Sequence, residues 1–216
     1  MARYHTLLFD FDGTTANTMP AIIPCIRKVL SAEGISVSDE VIYHNAGHSV
    51  YDAIKHISGS ENEDDVARYT EAYMKLYMSE GLSMIRPFPK VMETLQQFHD
   101  HGIKMAIASN NVLSVVVPMI ESFGVMKYMD TIVCSDDVEN IKPAPDIALE
   151  AMRRTGTPPE KTLVVGDSIF DIGMGVSAGT ATCGVTYGCH SKQMLIEAGA
   201  TYTIDAFDEL LKIVLV

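Results

Sequence analysis

Apolar positions along this chain fall into two regimes. Short apolar runs that do not alternate recur through much of it: Leu7-Leu8-Phe9, Ile103 to Ala108, Thr131 to Cys134, Leu163 to Val165 and Thr182 to Val185. Runs of this kind predict strands buried on both faces, as in a parallel sheet covered by helices. Between them, apolar residues return at intervals of three and four. Val91, Leu95 and Phe98 precede Gly102, Val112 to Phe123 contains Pro118, Ala144 to Arg154 precedes Gly156, and Ile169 to Ala178 precedes Gly179. That spacing predicts amphipathic helices, several ending at a glycine. Pro118 is expected to kink or shorten its helix. Met194 to Leu215 reads as helix, short edge strand and helix. Strands alternating with helices predict an α/β fold built on a Rossmann-like, doubly wound parallel sheet.

From Thr15 to about Arg86 the strand pattern disappears. Met19, Ile22, Ile23, Ile26, Val29 and Leu30 mark one helix, and Val66, Tyr69, Tyr73, Leu76 and Tyr77 mark another. Asp39 to Ile57 holds a shorter helix, a break at Gly47-His48-Ser49 and a further helix; Ser58 to Asn62 reads as a loop. A crossover between parallel strands needs far fewer residues than this. The expected organisation is therefore a small all-helical domain, 15–86, inserted into a core made of 1–14 and 87–216. Pro87-Phe88-Pro89 marks the return to the core.

Composition narrows the function. A chain of 216 residues with 47% apolar content suits one large globular domain or two small ones. A formal charge of −12 argues against a nucleic-acid or anionic membrane partner, which clustered Lys and Arg would serve. No apolar run reaches the roughly 18 residues of a membrane span, and the N-terminus passes into a strand without a signal-peptide pattern. Cys25, Cys134, Cys183 and Cys189 lack zinc or redox spacing and read as free thiols in a reducing cytoplasm. His44, His48 and His56 share one stretch without the partners a metal site needs.

The chemistry gathers where strands end. The first strand runs into Asp10-Phe11-Asp12-Gly13-Thr14. In an open parallel sheet ligands bind outside the carboxyl ends of the strands. Side chains two apart in an extended segment point the same way, so both carboxylates can face one site. Gly13 lets the backbone turn and approach a ligand closely. Like charges this near call for a cation, a shared proton or solvent. A plainer reading of the stretch alone is a turn that caps a strand.

Three later stretches, Ile107-Ala108-Ser109-Asn110, Ile141-Lys142-Pro143-Ala144-Pro145-Asp146 and Val165-Gly166-Asp167-Ser168-Ile169-Phe170-Asp171, follow in order. With the first, they resemble the four motifs of the haloacid dehalogenase-like phosphohydrolases, over nearly the whole chain. Within that superfamily the chain is most similar to the branch of phosphoglycolate phosphatase, beta-phosphoglucomutase and small pyrophosphatases. The resemblance implies Asp10 as a nucleophile that forms a phospho-aspartate, and Asp12 as acid and base. It implies Ser109, the Asn110 N–H, Lys142, Gly13 and Thr14 as phosphate binders. It also implies Mg²⁺ held by Asp10, Asp167, Asp171 and the Asp12 main-chain carbonyl, a donor set suited to a hard cation. Plainer alternatives stand beside these: an N-cap for Ser109 and Asn110, a surface lysine for Lys142, and a helix first-turn acid for Asp171.

Departures bear on substrate. Thr15 and Asn17 stand where the common family form has Leu and Asp. Asn45 to Asp52 carries no Lys or Arg beside Gly47, with Lys55 two helical turns on. This argues against a mutase that holds a second phosphate there, and leaves Lys55 a weak Schiff-base candidate for phosphonate chemistry. Asp12 argues against a dehalogenase. The expected protein is a cytoplasmic Mg²⁺-dependent phosphatase, monomer or homodimer, acting on a small phosphorylated metabolite with phosphoglycolate favoured. The alternatives are a beta-phosphoglucomutase-type mutase, an inorganic pyrophosphatase, or a non-catalytic phosphate-ligand-binding protein.

Overall fold

The computed structural model describes residues 2–215. Its strands are β1 (Thr6–Phe9), β2 (Ala16–Asn17), β3 (Arg86–Pro87), β4 (Lys104–Ala108), β5 (Thr131–Val133), β6 (Thr162–Gly166), β7 (Ala181–Val185) and β8 (Tyr202–Ile204). Six of them form one sheet in the order β5-β4-β1-β6-β7-β8, and every pairing in it is parallel. All four residues of β1 and all five of β6 are buried, which is why they read as continuous apolar runs without alternation. The outermost strands β5 and β8 are buried only in part.

The order of strands fixes where a ligand can sit. From β1 the chain moves outward through β4 and β5, then returns to the other side of β1 with β6 and moves outward again through β7 and β8. The direction reverses between β1 and β6, and a doubly wound sheet opens a crevice at that point. Register then gathers the chemistry. Phe9 lies level with Ile107 of β4 and Val165 of β6, so Asp10, Ser109 and Asp167 emerge within the next two residues of each strand.

Below that edge, Leu8, Ala106, Val133, Ile147, Ala151, Val164 and Met174 form one buried cluster. The helices Asp146–Thr155 and Ile169–Ser177 supply its non-strand members. Each fully buried aliphatic side chain stabilises the fold by about 1.5–3 kcal/mol relative to its exposure. The helix Leu113–Ser122 runs through Pro118 rather than stopping at it. Its N-cap is Val112, so Ser109 and Asn110 lie upstream of the helix start rather than at its N-cap.

By internal contacts the chain divides into two compact units, one reaching Ala16 and resuming at Pro87, the other Asn17–Arg86. The second is built from the helices Met19–Ala32, Asp39–His44, Val50–Ser58 and Glu63–Ser79. Side chains of Ser38, Ser49 and Asn62 accept first-turn N–H groups at the starts of the last three. Val66, Tyr69, Tyr73 and Tyr77 are the buried stripe of Glu63–Ser79, which packs on Met19–Ala32 and Val50–Ser58. Among the described residues no helix is long and apolar enough to cross a membrane.

Candidate active site

Four charged side chains from three segments of the chain meet at the carboxyl edge of the sheet, Asp171 from the first turn of the helix Ile169–Ser177. Oxygens of Asp10, Asp167 and Asp171 all lie within 4.8 Å of one another, and all three residues are buried. Lys142 Nζ donates to Asp10 Oδ1 and to Asp171 Oδ1, each at 2.7 Å. The Lys142 side chain is only 2% exposed, so this is a buried ion cluster. Its backbone is clamped by Asn110: the Lys142 N–H donates to Asn110 Oδ1 at 2.9 Å, and Asn110 Nδ2 donates to the Lys142 carbonyl at 3.4 Å.

Local sequence explains each position. Ser168 and Asp171 form a reciprocal capping box at the start of the helix Ile169–Ser177. Asp171 Oδ2 accepts the Ser168 N–H at 3.0 Å, which leaves Oδ1 for Lys142. The first-turn acid and the site residue are thus one residue. Asp167 Oδ1 accepts from Thr14 Oγ1 at 3.0 Å and Oδ2 accepts from the Cys189 N–H at 2.8 Å. Gly13 has φ +83°, and a Cβ there would stand 2.3 Å from Asp167 Oδ2. Both its conformation and that approach demand glycine.

Burial governs the electrostatics. Removal from water pushes the Asp10 carboxyl well above its ordinary range; Lys142 pulls it down, and Asp171, Asp167 and Asp12 push it further up. Asp167 is pushed up to about 6 by burial and by the Asp171 charge, against hydrogen bonds from Cys189 and Thr14. Burial works to lower Lys142, but Asp10 and Asp171 overcome it and hold the ammonium above the usual lysine range. Three carboxylates facing one ammonium leave negative charge for a further cation. Their oxygens are the hard ligands that Mg²⁺ takes.

The other expected residues have partners of their own beside this cluster. β1 ends at Phe9, and the Asp12 charge still acts on Asp10 from beyond it. Asp12 Oδ2 accepts from Asn111 Nδ2 at 2.8 Å, and its carboxylate is not among the three that cluster. Thr14 is completely buried with its hydroxyl on Asp167, and Gly13 packs on the same carboxylate. Ser109 is buried, and its Oγ accepts the Asn111 N–H at 3.1 Å. Thr15 turns its hydroxyl back to the Asp10 and Phe11 carbonyls, each at 3.2 Å.

Asn111 and the segment Tyr187 to His190 were missed by the sequence reading. The signal available for the segment was topological, since the loop after β7 leaves the sheet at the same edge as the motifs. Burial, with Asp167 beside it, pushes the Cys189 thiol well above its ordinary value, and the residue reaches Asp167 through its main-chain N–H at 2.8 Å and through its thiol, which lies 3.7 Å from the Asp167 carbonyl.

Known proteins resemble this chain along nearly its whole length. Pyrophosphatase PpaX of Halalkalibacterium halodurans is 30% identical over 215 residues, covering 97% of this chain and 96% of the relative. Phosphoglycolate phosphatase of Agrobacterium fabrum is 27% identical over 208 residues, covering 94% and 89%. A crystal structure described as a predicted phosphoglycolate phosphatase from Haemophilus somnus superposes with a TM-score of 0.90 at 26% identity, covering 99% of both chains. Residues 7–185 match the family described as haloacid dehalogenase-like hydrolase. A match across that much of the sequence shows that the chain belongs to the haloacid dehalogenase-like hydrolases.

Proposed function

We propose that this protein is a phosphatase that hydrolyses a small phosphorylated metabolite through a phospho-aspartate on Asp10. The observation that carries the reading is the buried contact of Asp10 with Lys142, beside Asp167 and Asp171. A nucleophilic carboxylate must be ionised, and burial alone opposes that; the Lys142 ammonium at 2.7 Å favours the anion. Asp10 attacks phosphorus and the bond to the leaving oxygen breaks, while Asp12 delivers a proton to that oxygen. Asp12 then takes a proton from the water that attacks the phosphorus of the acyl phosphate, which frees inorganic phosphate and restores Asp10. Lys142, the Ser109 hydroxyl and the Asn110 N–H bind the phosphoryl oxygens, and Asn110 also keeps Lys142 in place.

Asp10, Asp167, Asp171 and the Asp12 carbonyl would hold Mg²⁺, which when bound offsets negative charge on the transferring phosphoryl group. The four free cysteines suit a reducing, cytoplasmic setting. Phosphoglycolate and pyrophosphate are the two leading substrates, since relatives named for each lie at 27% and 30% identity.

Phosphate release from phosphoglycolate, pyrophosphate, sugar phosphates and nucleotides, with Mg²⁺ and with EDTA, tests the reading. Mg²⁺-dependent release from one compound well above the others supports it and names the substrate. Release from none of the panel, followed by activity in a phosphosugar mutase assay, overturns it.

A further inference from the structure

The loop after β7 encloses Asp167, and the mechanism above gives none of its residues a role. Tyr187 Oη donates to the Thr14 carbonyl at 2.9 Å, and Thr14 Oγ1 donates to Asp167 Oδ1 at 3.0 Å. From the same loop the Cys189 N–H donates to Asp167 Oδ2 at 2.8 Å. Between them Gly188 lies against the aspartate, where a Cβ would stand 2.2 Å from Asp167 Cβ. The His190 N–H donates to the Asp167 carbonyl at 3.2 Å. Both carboxylate oxygens are therefore oriented by fixed donors. An ionised carboxylate offers about four acceptor directions, so each oxygen retains capacity for a cation. The Tyr187 ring is held independently of its hydroxyl, since it packs on Phe88 with centroids 4.6 Å apart.

We propose, resting on the cation site described above, that the loop Tyr187-Gly188-Cys189 is the positioning device of that site. Tyr187 fixes the Thr14 peptide, and Thr14 and the Cys189 N–H fix the Asp167 carboxylate where it meets Asp10 and Asp171. Donors that orient a ligand in this way govern affinity for the metal without touching it. Tyr187 is thus a positioning residue that acts two hydrogen bonds away from the carboxylate.

Calorimetric titration of metal-stripped wild type, Tyr187→Phe, Thr14→Val and Thr14→Ser with Mg²⁺ tests this, alongside the Mg²⁺-induced shift in Tm. Tyr187→Phe should weaken Mg²⁺ binding about fivefold, the share of one neutral hydrogen bond. Thr14→Val should weaken it about 10-fold or more, and Thr14→Ser should restore it to near wild type. In turnover, the Mg²⁺ concentration for half-maximal rate should rise while the substrate KM stays constant. Wild-type Mg²⁺ affinity in a folded Tyr187→Phe overturns the loop's role and leaves the cation site standing. Equal weakening in Thr14→Ser and Thr14→Val also overturns it, because packing rather than the hydroxyl would then be responsible. A wild type that neither binds Mg²⁺ nor is stabilised by it removes the cation site and the loop's role together. Should Thr14→Val not fold, Tyr187→Phe decides alone, since it keeps the ring and its contact with Phe88.

Discussion

Both units of this chain carry solvated ion pairs, and the sheet unit also buries a cluster of charges. In the helical unit the ion pairs are solvated: Arg27 with Asp39, Lys28 with Glu80 at 3.0 Å, and Arg68 with Glu33 and Asp65. Among the described residues from Asn17 to Arg86, Thr18 is the only buried polar one. The sheet unit instead buries Asp10, Lys142, Asp167 and Asp171 beside Thr14, Ser109 and Ser168. Solvated pairs add little, so the helical unit is held by apolar stripes and capped helix ends. Buried charges are costly unless each finds a partner, and the sheet unit carries that cost at one edge. The difference places the costly charges in the sheet unit, where the proposed chemistry sits.

Changes in the buried cluster should therefore outweigh changes in the solvated pairs, in a definite order. Asp10→Asn keeps the shape of the nucleophile and removes its charge. Turnover should fall by at least about 10³-fold in steady-state assays while far-ultraviolet circular dichroism is unchanged. Wild-type turnover in that variant would break the account of the sheet unit. Lys142→Met leaves Asp10 and Asp171 without their ammonium. Denaturant unfolding in metal-free buffer should register a loss of about 3–5 kcal/mol.

Asp167 links stability to pH. Its carboxyl titrates at about 6 in the fold against 3.8 ordinarily, so between those values the folded state binds more protons than the unfolded one. Its contribution is complete below 3.8 and is lost as pH rises through about 6. Without metal, Asp167→Asn should gain on wild type by about 1–3 kcal/mol between pH 4 and pH 7.5. Constant offsets from the lost acceptor cancel in that difference. Added Mg²⁺ should reverse the trend, and a gap independent of pH would contradict it. Smallest of all, Lys28→Ala removes an exposed partner of Glu80 and should cost under about 1 kcal/mol with no change in turnover. A larger loss would blur the contrast between the units.

Much of the fold was legible because its signals are local. Unbroken apolar runs marked β1, β4, β6 and β7, whose residues are almost all buried on both faces. Strand ends then predicted where Asp10, Lys142, Asp167 and Asp171 would gather, since a doubly wound sheet collects its loops on one edge. The rest depended on contacts without local signature. Asp12 and Asn111 are 99 residues apart in sequence, and only the fold joins them. Thr14 is expected among the phosphate binders, and nothing local signals that its hydroxyl donates to Asp167, 153 residues on. Main-chain donors such as the Cys189 N–H are invisible in a sequence, because every residue but proline carries one.

The central claim is that Asp10 carries the phosphoryl group. Rapid acid quench during turnover of the best substrate, followed by mass spectrometry of the peptide containing Asp10, tests it directly. The account predicts a phosphoryl adduct on Asp10 that forms and decays within one turnover and is absent in Asp10→Asn. Full turnover with no adduct at any quench time, together with an active Asp10→Asn enzyme, would contradict it.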